Sequence, residues 1–360
     1  MFENLLDIIR CPVTRSKLQL EIISKRKKKF LNEEKPALSA DREIVWEGIL
    51  YGDGNWFYPI INGIPRLIVE AFDDYREFLA KHVTDYSQRK NFLEENNHRF
   101  LKYVRTKNAH TKASFAQEWG LYNYETDKTW DLDAQGMLKR FCEETDETEN
   151  SLKGKFVFDA GCGNGHLNII LANNGTPNIA MDFSLSIIRA FERNENPLAQ
   201  FIQGDVQFPP VDFEKFDIVH SSGVLIATHN TELSFSCLSP SVKPGGKLSV
   251  WLYQPRKNFI HNLFNFIRNY SSKLPVRLQY YLYAVTLLPI SFVVKRMKGN
   301  KQNAREMMID ILDWFSPQYR WEHEPSEAAA WYHKRNYSGI KFTHNNMWGF
   351  NIIGVKNQQP

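Results

Sequence analysis

The chain has 360 residues, 42% of them hydrophobic and 24% charged, which is the balance of an ordinary globular protein of two or three domains. Its four cysteines lie far apart, which excludes a disulfide framework and a short-range pair of metal ligands. The net charge of +4 is unevenly placed, because residues 233–305 contain twelve Lys and Arg and no Asp or Glu.

The first 70 residues are predicted to form a small separate module. Residues 43–50 and 56–61 are typical of strands, and the pair Asn62-Gly63 between two apolar runs is typical of a β-hairpin. The lysine-rich run at 25–29 is predicted to lie in a solvated loop. Because it has no interleaved aromatic residues and no RNA-recognition module accompanies it, we expect no nucleic-acid partner.

Residues 71–150 are polar and are predicted to form a helical lead-in or lid, with the acidic run 143–149 in a solvated loop. Strands and helices alternate through residues 151–255, which predicts a parallel sheet with helices on both faces. Residues 256–338 are predicted to be helical. The predicted strands are residues 156–158, 178–181, 201–203, 216–220, 246–253, 339–343 and 349–355, and the predicted helices between them include residues 167–173, 185–192 and 233–238.

A glycine-rich turn follows the first strand of the alternating region, where residues 159–165 read DAGCGNG. Glycines after a buried strand let the backbone turn tightly and approach a ligand, and the next helix presents free N–H groups. A dinucleotide fold requires Gly-x-Gly-x-x-Gly, whereas this turn has Gly-x-Gly-x-Gly followed by His166. Taken alone, the turn is compatible with several nucleotide cofactors.

Acidic residues follow the next two strands. Asp182 ends the second strand, where a carboxylate can accept both hydroxyls of a ribose, and Gly204-Asp205-Val206 ends the third. The fourth strand runs into residues 221–225 (SSGVL), and residues 243–248 (KPGGKL) precede the fifth. Together with the glycine turn, these features in this order resemble the class I methyltransferases that use S-adenosylmethionine (SAM), of the type 11/12-like group.

This resemblance implies a fold and a cofactor. The fold class would be α/β: a Rossmann-like seven-stranded class I methyltransferase sheet from residues 151–255 and 339–360, with a small N-terminal α+β module and a helical insertion at 256–338. In the family, the glycine turn passes under the methionine part of S-adenosyl-L-methionine, and the acid after the third strand reaches the adenine amino group. The residues expected to bind SAM are Asp159, Gly161, Cys162, Gly163, Asn164, Gly165, Asp182, Phe183, Ser184, Gly204, Asp205, Val206, Ser221 and Ser222.

The N-terminal module carries a resemblance of its own. Cys11-Pro12-Val13 and residues 58–65 (YPIINGIP) are similar to the small zinc-ribbon-like domain related to the activator subunit of RNA and protein methyltransferases. That family often has Cys-Pro-x-Cys, but Thr14 stands at the second position and the next cysteine is Cys142. Because a structural zinc takes four ligands, we expect no bound metal.

Three histidines are candidate general bases for a hydroxyl acceptor. His220 ends the fourth strand, at the edge where ligands bind in open α/β sheets, although it can also be a packing residue. His229 follows a loop in which many relatives carry two histidines, replaced here by Ile226-Ala227, and it can also be a loop hydrogen-bonding residue. His323 lies in a stretch similar to one in relatives, and it is expected either to be structural or to orient Tyr319 or the substrate.

The leading hypothesis for the reaction is O-methylation of a small molecule or a glycan, with a lipid-linked acceptor as one version. The alternative enzyme is a C-methyltransferase of a quinone or lipid precursor. The alternative of another class is a scaffold that binds SAM without turnover.

The segment 254–305 combines eight aromatic residues with ten Lys and Arg and no acid. It is interpreted either as a helical cap packed on the sheet or as an amphipathic surface that contacts an anionic membrane or a substrate phosphate. Its longest apolar run, residues 280–294, is shorter than the roughly 20 residues that cross a bilayer, which argues against a transmembrane helix. The N-terminal residues lack a signal-peptide pattern, so a cytoplasmic location is expected, membrane-peripheral in the second interpretation.

Overall fold

The computed structural model describes residues 1–30, 40–121, 132–256 and 258–358. Within them, one mixed sheet contains eleven strands, which are β1 (Gln19–Phe30), β2 (Ala40–Tyr51), β3 (Phe57–Ile61), β4 (Ile64–Leu67), β5 (Val157–Ala160), β6 (Asn178–Asp182), β7 (Ala199–Gly204), β8 (Phe216–Ser222), β9 (Val242–Tyr253), β10 (Tyr337–Asn345) and β11 (Gly349–Lys356). Their order across the sheet is β1-β2-β3-β4-β7-β6-β5-β8-β9-β11-β10.

Helices connect and cover these strands. Those in the described residues are α1 (Ala71–Asp74), α2 (Arg76–His82), α3 (Tyr86–Leu121), α4 (Ala134–Thr145), α5 (Glu149–Leu152), α6 (His166–Asn173), α7 (Ser186–Arg193), α8 (Thr231–Leu238), α9 (Phe259–Ser271), α10 (Val276–Met297), α11 (Ala304–Phe315) and α12 (Pro325–Lys334). α3 departs from helical geometry at Asn97.

The Rossmann-like part of the sheet runs from β7 to β10. Neighbours in the order β7-β6-β5-β8-β9 are parallel, and β11 is antiparallel to both β9 and β10. Every residue of β5 is buried, as expected of a central parallel strand covered on both faces by helices. The Rossmann-like α/β fold and its closing antiparallel hairpin are thus confirmed.

The predicted count of seven strands is too small for the whole sheet. β4 pairs in parallel with β7, with Arg66 opposite Gln203 and Leu67 opposite Gly204, so β1–β4 continue the same sheet. Arg15 reinforces this junction by donating to backbone carbonyls in the segment after β7. The sequence did not indicate this extension, because an added strand leaves no pattern beyond its own apolar residues.

The N-terminal strands confirm one local prediction and correct another. Asn62 and Gly63 form the tight turn between β3 and β4, with φ of 53° and 78°, as a two-residue hairpin requires. The lysine-rich run 25–29, however, lies in β1 and not in a loop. Lys27 stands opposite Glu43, and Lys29 opposite Asp41, so opposite charges across the ladder stabilise a strand that reads as a solvated segment.

The helices of the 256–338 segment have a small core of their own, in which Tyr283 of α10 packs against Leu312 and Phe315 of α11. α10 is longer than the apolar run of residues 280–294, whose length was the reason to expect no transmembrane helix. It has 22 residues and a mean hydropathy of 1.2, with 11% of its most apolar window buried. In the described part of the chain it is the one helix that is long and apolar enough to cross a membrane, so the exclusion by length does not hold.

Candidate functional site

The glycine turn joins β5 to α6 at the carboxyl edge of the parallel strands. Gly161, Gly163 and Gly165 have positive φ angles of 102°, 55° and 67°, a region that residues with side chains rarely adopt. The amides of Gly161 and Cys162 both donate to the carbonyl of Met181, at 2.7 and 2.9 Å. The turn is therefore fixed against the end of β6.

Two of these glycines also allow close packing. A Cβ atom on Gly161 would lie 2.2 Å from a methyl carbon of Val224, in the loop after β8. A Cβ atom on Gly165 would lie 2.5 Å from Cβ of Ala190 in α7. A larger residue at either position would push the neighbouring element away.

Asp182 connects the end of β6 to the glycine turn. Its carboxylate accepts hydrogen bonds from the Gly163 amide at 2.8 Å and from the Ser184 amide and hydroxyl at 2.8 and 2.7 Å. Burial raises the pKa of Asp182, and these hydrogen bonds act in the opposite direction. Asp182 and Phe183 nevertheless keep part of their surface exposed, so this edge of the sheet is accessible to a ligand.

Asp205, directly after β7, is held by α3. Nζ of Lys107 lies 2.7 Å from one carboxylate oxygen, and the Gln207 amide donates to the other at 2.8 Å. The side chains of Lys107 and Asp205 are both buried. α3 therefore covers the end of the site to which the resemblance assigns adenine, and an adenine amino group would share this carboxylate with Lys107.

The structure brings most of the predicted cofactor residues together at this edge. Ser221 is an exception, because its side chain is fully buried and donates to the carbonyl of Ala160 at 2.7 Å. It links β8 to β5, and its buried hydroxyl favours a structural role for this residue. Ser222 is partly exposed, 3.4 Å from Glu144. The residues gathered in or directly after β5, β6 and β7 are Asp159, Gly161, Cys162, Gly163, Asn164, Gly165, Asp182, Phe183, Ser184, Gly204, Asp205 and Val206.

Four charged side chains form a chain next to the glycine turn. His220 lies between two buried carboxylates, with Nδ1 2.9 Å from Asp159 and Nε2 2.8 Å from Glu144, and Arg140 donates to Glu144 at 2.8 Å. Burial disfavours the charged imidazole, but the hydrogen bonds to both carboxylates outweigh it and raise the pKa of His220 to about 9. Burial also disfavours the charge of Glu144, but His220 and Arg140 hold its pKa at about 2.

These contacts favour the alternative interpretation of His220 as a packing residue over that of a general base. A base must offer an unprotonated nitrogen, whereas both ring nitrogens of His220 face buried carboxylates that raise its pKa to about 9. Its contacts instead fix Asp159, the acid that precedes the glycine turn.

Sequence reasoning missed Glu144 and Arg140. The run 143–149 was assigned to a solvated loop, but Glu144 lies in the last turn of α4 and is 2% exposed. In the same run, Glu147 pairs with Lys155 and Lys247. The sequence does contain a pattern that predicts this ion pair, since Arg140 and Glu144 are four residues apart, as in ion pairs on one helix face.

The same part of the chain is the part that a protein-family model recognises. Residues 158–250 match the model of a methyltransferase domain. The match begins in β5, ahead of the glycine turn, and ends in β9. The prediction of a methyltransferase domain with SAM as its cofactor is confirmed at the level of this domain.

Curated relatives match only part of this chain. A ubiquinone biosynthesis O-methyltransferase of Coxiella burnetii is 30% identical over 105 residues, which are 28% of this chain and 45% of that protein. A demethylmenaquinone methyltransferase of Renibacterium salmoninarum is 28% identical over 188 residues, 52% of this chain and 72% of that protein. This chain thus spans less than half the length of the first of these relatives.

Solved structures show a weaker likeness. The magnesium protoporphyrin IX methyltransferase of Synechocystis PCC 6803 with bound SAH has a TM-score of 0.40 and 16% identity, over 69% of this chain and 97% of that chain. A likeness at this level has no bearing on the function of this chain.

His229 is the exposed histidine of the methyltransferase domain near β8. Its ring lies edge-on between two tyrosines, 5.8 Å from Tyr103 of α3 and 5.5 Å from Tyr319. Within the described residues, its ring nitrogens have no hydrogen-bonding partner, so the predicted loop hydrogen bond is not seen there.

His323 has a structural environment. Nε2 lies 2.9 Å from the Thr231 hydroxyl and Nδ1 3.1 Å from Glu327, so the imidazole joins the first turns of α8 and α12. The histidine beside Tyr319 is His229, and the predicted orientation of Tyr319 by His323 is not observed. Two residues earlier, Trp321 donates from its amide to Ile226 and from its indole to Thr228, both at 2.9 Å, and so fixes the loop after β8.

The groups at the edge of the methyltransferase domain fit SAM chemically. Asp182 and Phe183 are both partly exposed, and a carboxylate and an aromatic ring at this edge are groups that suit a ribose and a base. Asp182 has no Lys, Arg or His partner among the described residues, so its carboxylate suits a cofactor that carries positive charge, whereas Asp159 and Asp205 are already paired with His220 and Lys107. The helix α6 begins directly after the turn and directs its N–H groups towards the same edge.

Proposed function

We propose that this protein transfers a methyl group from SAM to an oxygen of a small, apolar acceptor of the quinone-precursor kind. The observation that carries the proposal is the glycine turn after β5, fixed to the accessible Asp182 by the Gly163 hydrogen bond. The names of the two curated relatives, both methyltransferases of quinone biosynthesis, support this class of acceptor. Neither relative supports a glycan acceptor.

When bound, SAM supplies an activated methyl group on a sulfonium, whose departure leaves a neutral thioether. The protein has no developing anion to stabilise at the leaving group, so its main task is to align the acceptor. A hydroxyl acceptor also needs a base, and among the three predicted histidines only His229 has an available nitrogen. We assign it that role, with Tyr103 and Tyr319 holding its ring.

The experiment is a transfer assay with SAM labelled in its methyl group and a hydroquinone-type phenol as acceptor. Label in a methyl ether supports the proposal. Label bound to ring carbon supports the alternative of C-methylation and overturns the proposal of O-methylation. Tight SAM binding with no label in phenols or in a fractionated lipid extract would support the scaffold alternative and overturn the proposal.

A further inference from the structure

Helices α9 and α10 expose an unusual amount of apolar surface. In the described part of the chain, 14 of the 25 exposed large hydrophobic side chains lie in these two helices. In α9, the exposed residues Phe259, Leu263, Phe266 and Tyr270 recur at spacings of three and four, which places them on one face. We call this face, together with its counterpart on α10, the cap surface.

The counterpart on α10 follows the same periodicity. Its outer face includes Leu278, Tyr281, Val285 and Val293, all exposed, and Val285 is 78% exposed. Soluble proteins seldom leave contiguous apolar patches of this extent uncovered, and such patches mark interaction sites. The cap surface therefore needs an occupant.

The charges around the cap surface indicate which occupant. Lys273 and Arg277 lie at the start of α10, and Arg296, Lys298 and Lys301 lie at its end, while residues 233–305 contain no acid. An apolar face bordered by basic residues suits a membrane with anionic headgroups. A second copy of this chain would bring two positively charged faces together, which is unfavourable.

α10 is also held in the protein along its opposite face. The Gln279 amide donates to the carbonyl of Leu274 at 2.7 Å, and the Tyr283 hydroxyl donates to Ser271 at 2.8 Å. Tyr283 is 1% exposed and packs on Phe315 of α11. Crossing a bilayer would break these contacts, whereas lying in the plane of the membrane keeps them.

We propose that the cap surface binds an anionic membrane, with α9 and α10 lying in the interfacial plane. α9 is connected to the methyltransferase domain through the segment around Trp321, since His261 lies 2.8 Å from Glu322 and the neighbouring Trp321 fixes the loop after β8. This deepens the proposed function, because it presents the domain to an apolar acceptor dissolved in the membrane. The binding itself depends on neither the cofactor nor the reaction.

The test is co-sedimentation of the full chain with vesicles of phosphatidylglycerol and phosphatidylcholine in equal amounts, compared with vesicles of phosphatidylcholine alone. We expect binding to the anionic vesicles only, weakening as salt rises from about 0.05 to about 0.5 M because exposed charges are screened. The double variant Val285→Glu/Val293→Glu should reduce the bound fraction about tenfold or more. The matched control Leu198→Glu/Leu233→Glu changes two exposed aliphatic residues outside the cap and should bind like the wild type.

Several results would overturn the proposal. No sedimentation with anionic vesicles at low salt would do so, as would equal binding of the cap and control variants. Resistance of the bound protein to alkaline carbonate would indicate a spanning helix, and a dimer by light scattering that the cap variant abolishes would indicate a second copy as the occupant. SAM titration of the same samples separates these outcomes from a failure of the methyltransferase proposal, because the cap variant should bind SAM like the wild type.

Discussion

His220 of β8 lies between Asp159 and Glu144, with its two ring nitrogens 2.9 and 2.8 Å from their carboxylates. The arrangement joins three parts of the fold: the strand before the glycine turn, the neighbouring strand and the last turn of α4. With Arg140 it forms an alternating row of positive and negative groups in a buried position. Each member is stabilised by its neighbours, so loss of one leaves a buried charge uncompensated.

We expect His220→Gln to lower the free energy of unfolding by about 3–5 kcal/mol near pH 6, because it leaves the buried Asp159 without its cation and Glu144 with Arg140 alone. The folded-state pKa of His220 is raised from 6.5 to about 9, so its stabilising contribution is complete below pH 6.5 and is lost as pH rises through 9. Urea denaturation at several pH values measures this. The difference between wild type and variant should shrink between pH 7 and 9.5, whereas the exposed His98→Gln should show no such trend.

Glu144 gives stability the opposite dependence on pH. Its folded-state pKa is lowered from 4.5 to about 2, so its contribution is present above pH 4.5 and is lost as pH falls towards 2. We therefore expect Glu144→Gln to destabilise the protein near pH 6 and to approach wild-type stability near pH 2. A loss of stability that stays constant from pH 6 to pH 3 would contradict the charged state assigned to this residue.

The glycine turn can be tested through packing. Gly161→Ala places a carbon against Val224 as well as straining a φ of 102°, whereas Gly154→Ala strains a φ of 78° with no atom within 4 Å of the added carbon. We expect Gly154→Ala to cost about 1–2 kcal/mol and Gly161→Ala to cost clearly more. Val224→Ala combined with Gly161→Ala should recover part of the difference in thermal melting. Equal costs for the two single variants would remove the packing explanation.

His229 can be tested as the base. We expect His229→Ala to reduce kcat by about 100-fold or more while the Kd for SAM and the KM for the acceptor stay within about twofold, since a base acts on the transition state and not on cofactor binding. The methyl-transfer assay and a SAM titration measure the two quantities, with His98→Ala as the matched control. Full turnover by His229→Ala would show that the base lies elsewhere or that none is needed.

The sequence predicted local chemistry well and long-range contacts poorly. The glycine turn, the positions of the acids Asp182 and Asp205 after their strands, and the strands of the alternating region could be predicted because each depends on a short pattern. The role of His220 could not, because its pKa depends on Glu144, 76 residues away along the chain. The pairing of Lys107 with Asp205 could not be predicted either, since it joins a long polar helix to a residue 98 positions further along the chain, directly after β7.

Two further errors have a common cause. Charged runs at 25–29 and 143–149 were both assigned to solvated loops on composition alone. In the first, charges across the strand ladder compensate one another, and in the second, Glu144 and Glu147 find buried or partly buried partners. Composition reports hydrophilicity, but it does not report whether a partner of opposite charge is within reach.

The central claim is that the edge formed by the glycine turn and Asp182 binds SAM, and calorimetric titration with SAM tests it most directly. The comparison is between wild type, Asp182→Ala and the control Asp217→Ala. Like Asp182, Asp217 accepts a backbone hydrogen bond, from the Phe156 amide at 2.8 Å, but it lies at the start of β8, away from the carboxyl edge of the sheet. We expect wild type and Asp217→Ala to bind SAM alike and Asp182→Ala to bind about 100-fold more weakly while remaining folded by circular dichroism. No binding by the wild type, or equal affinity in Asp182→Ala, would contradict the account.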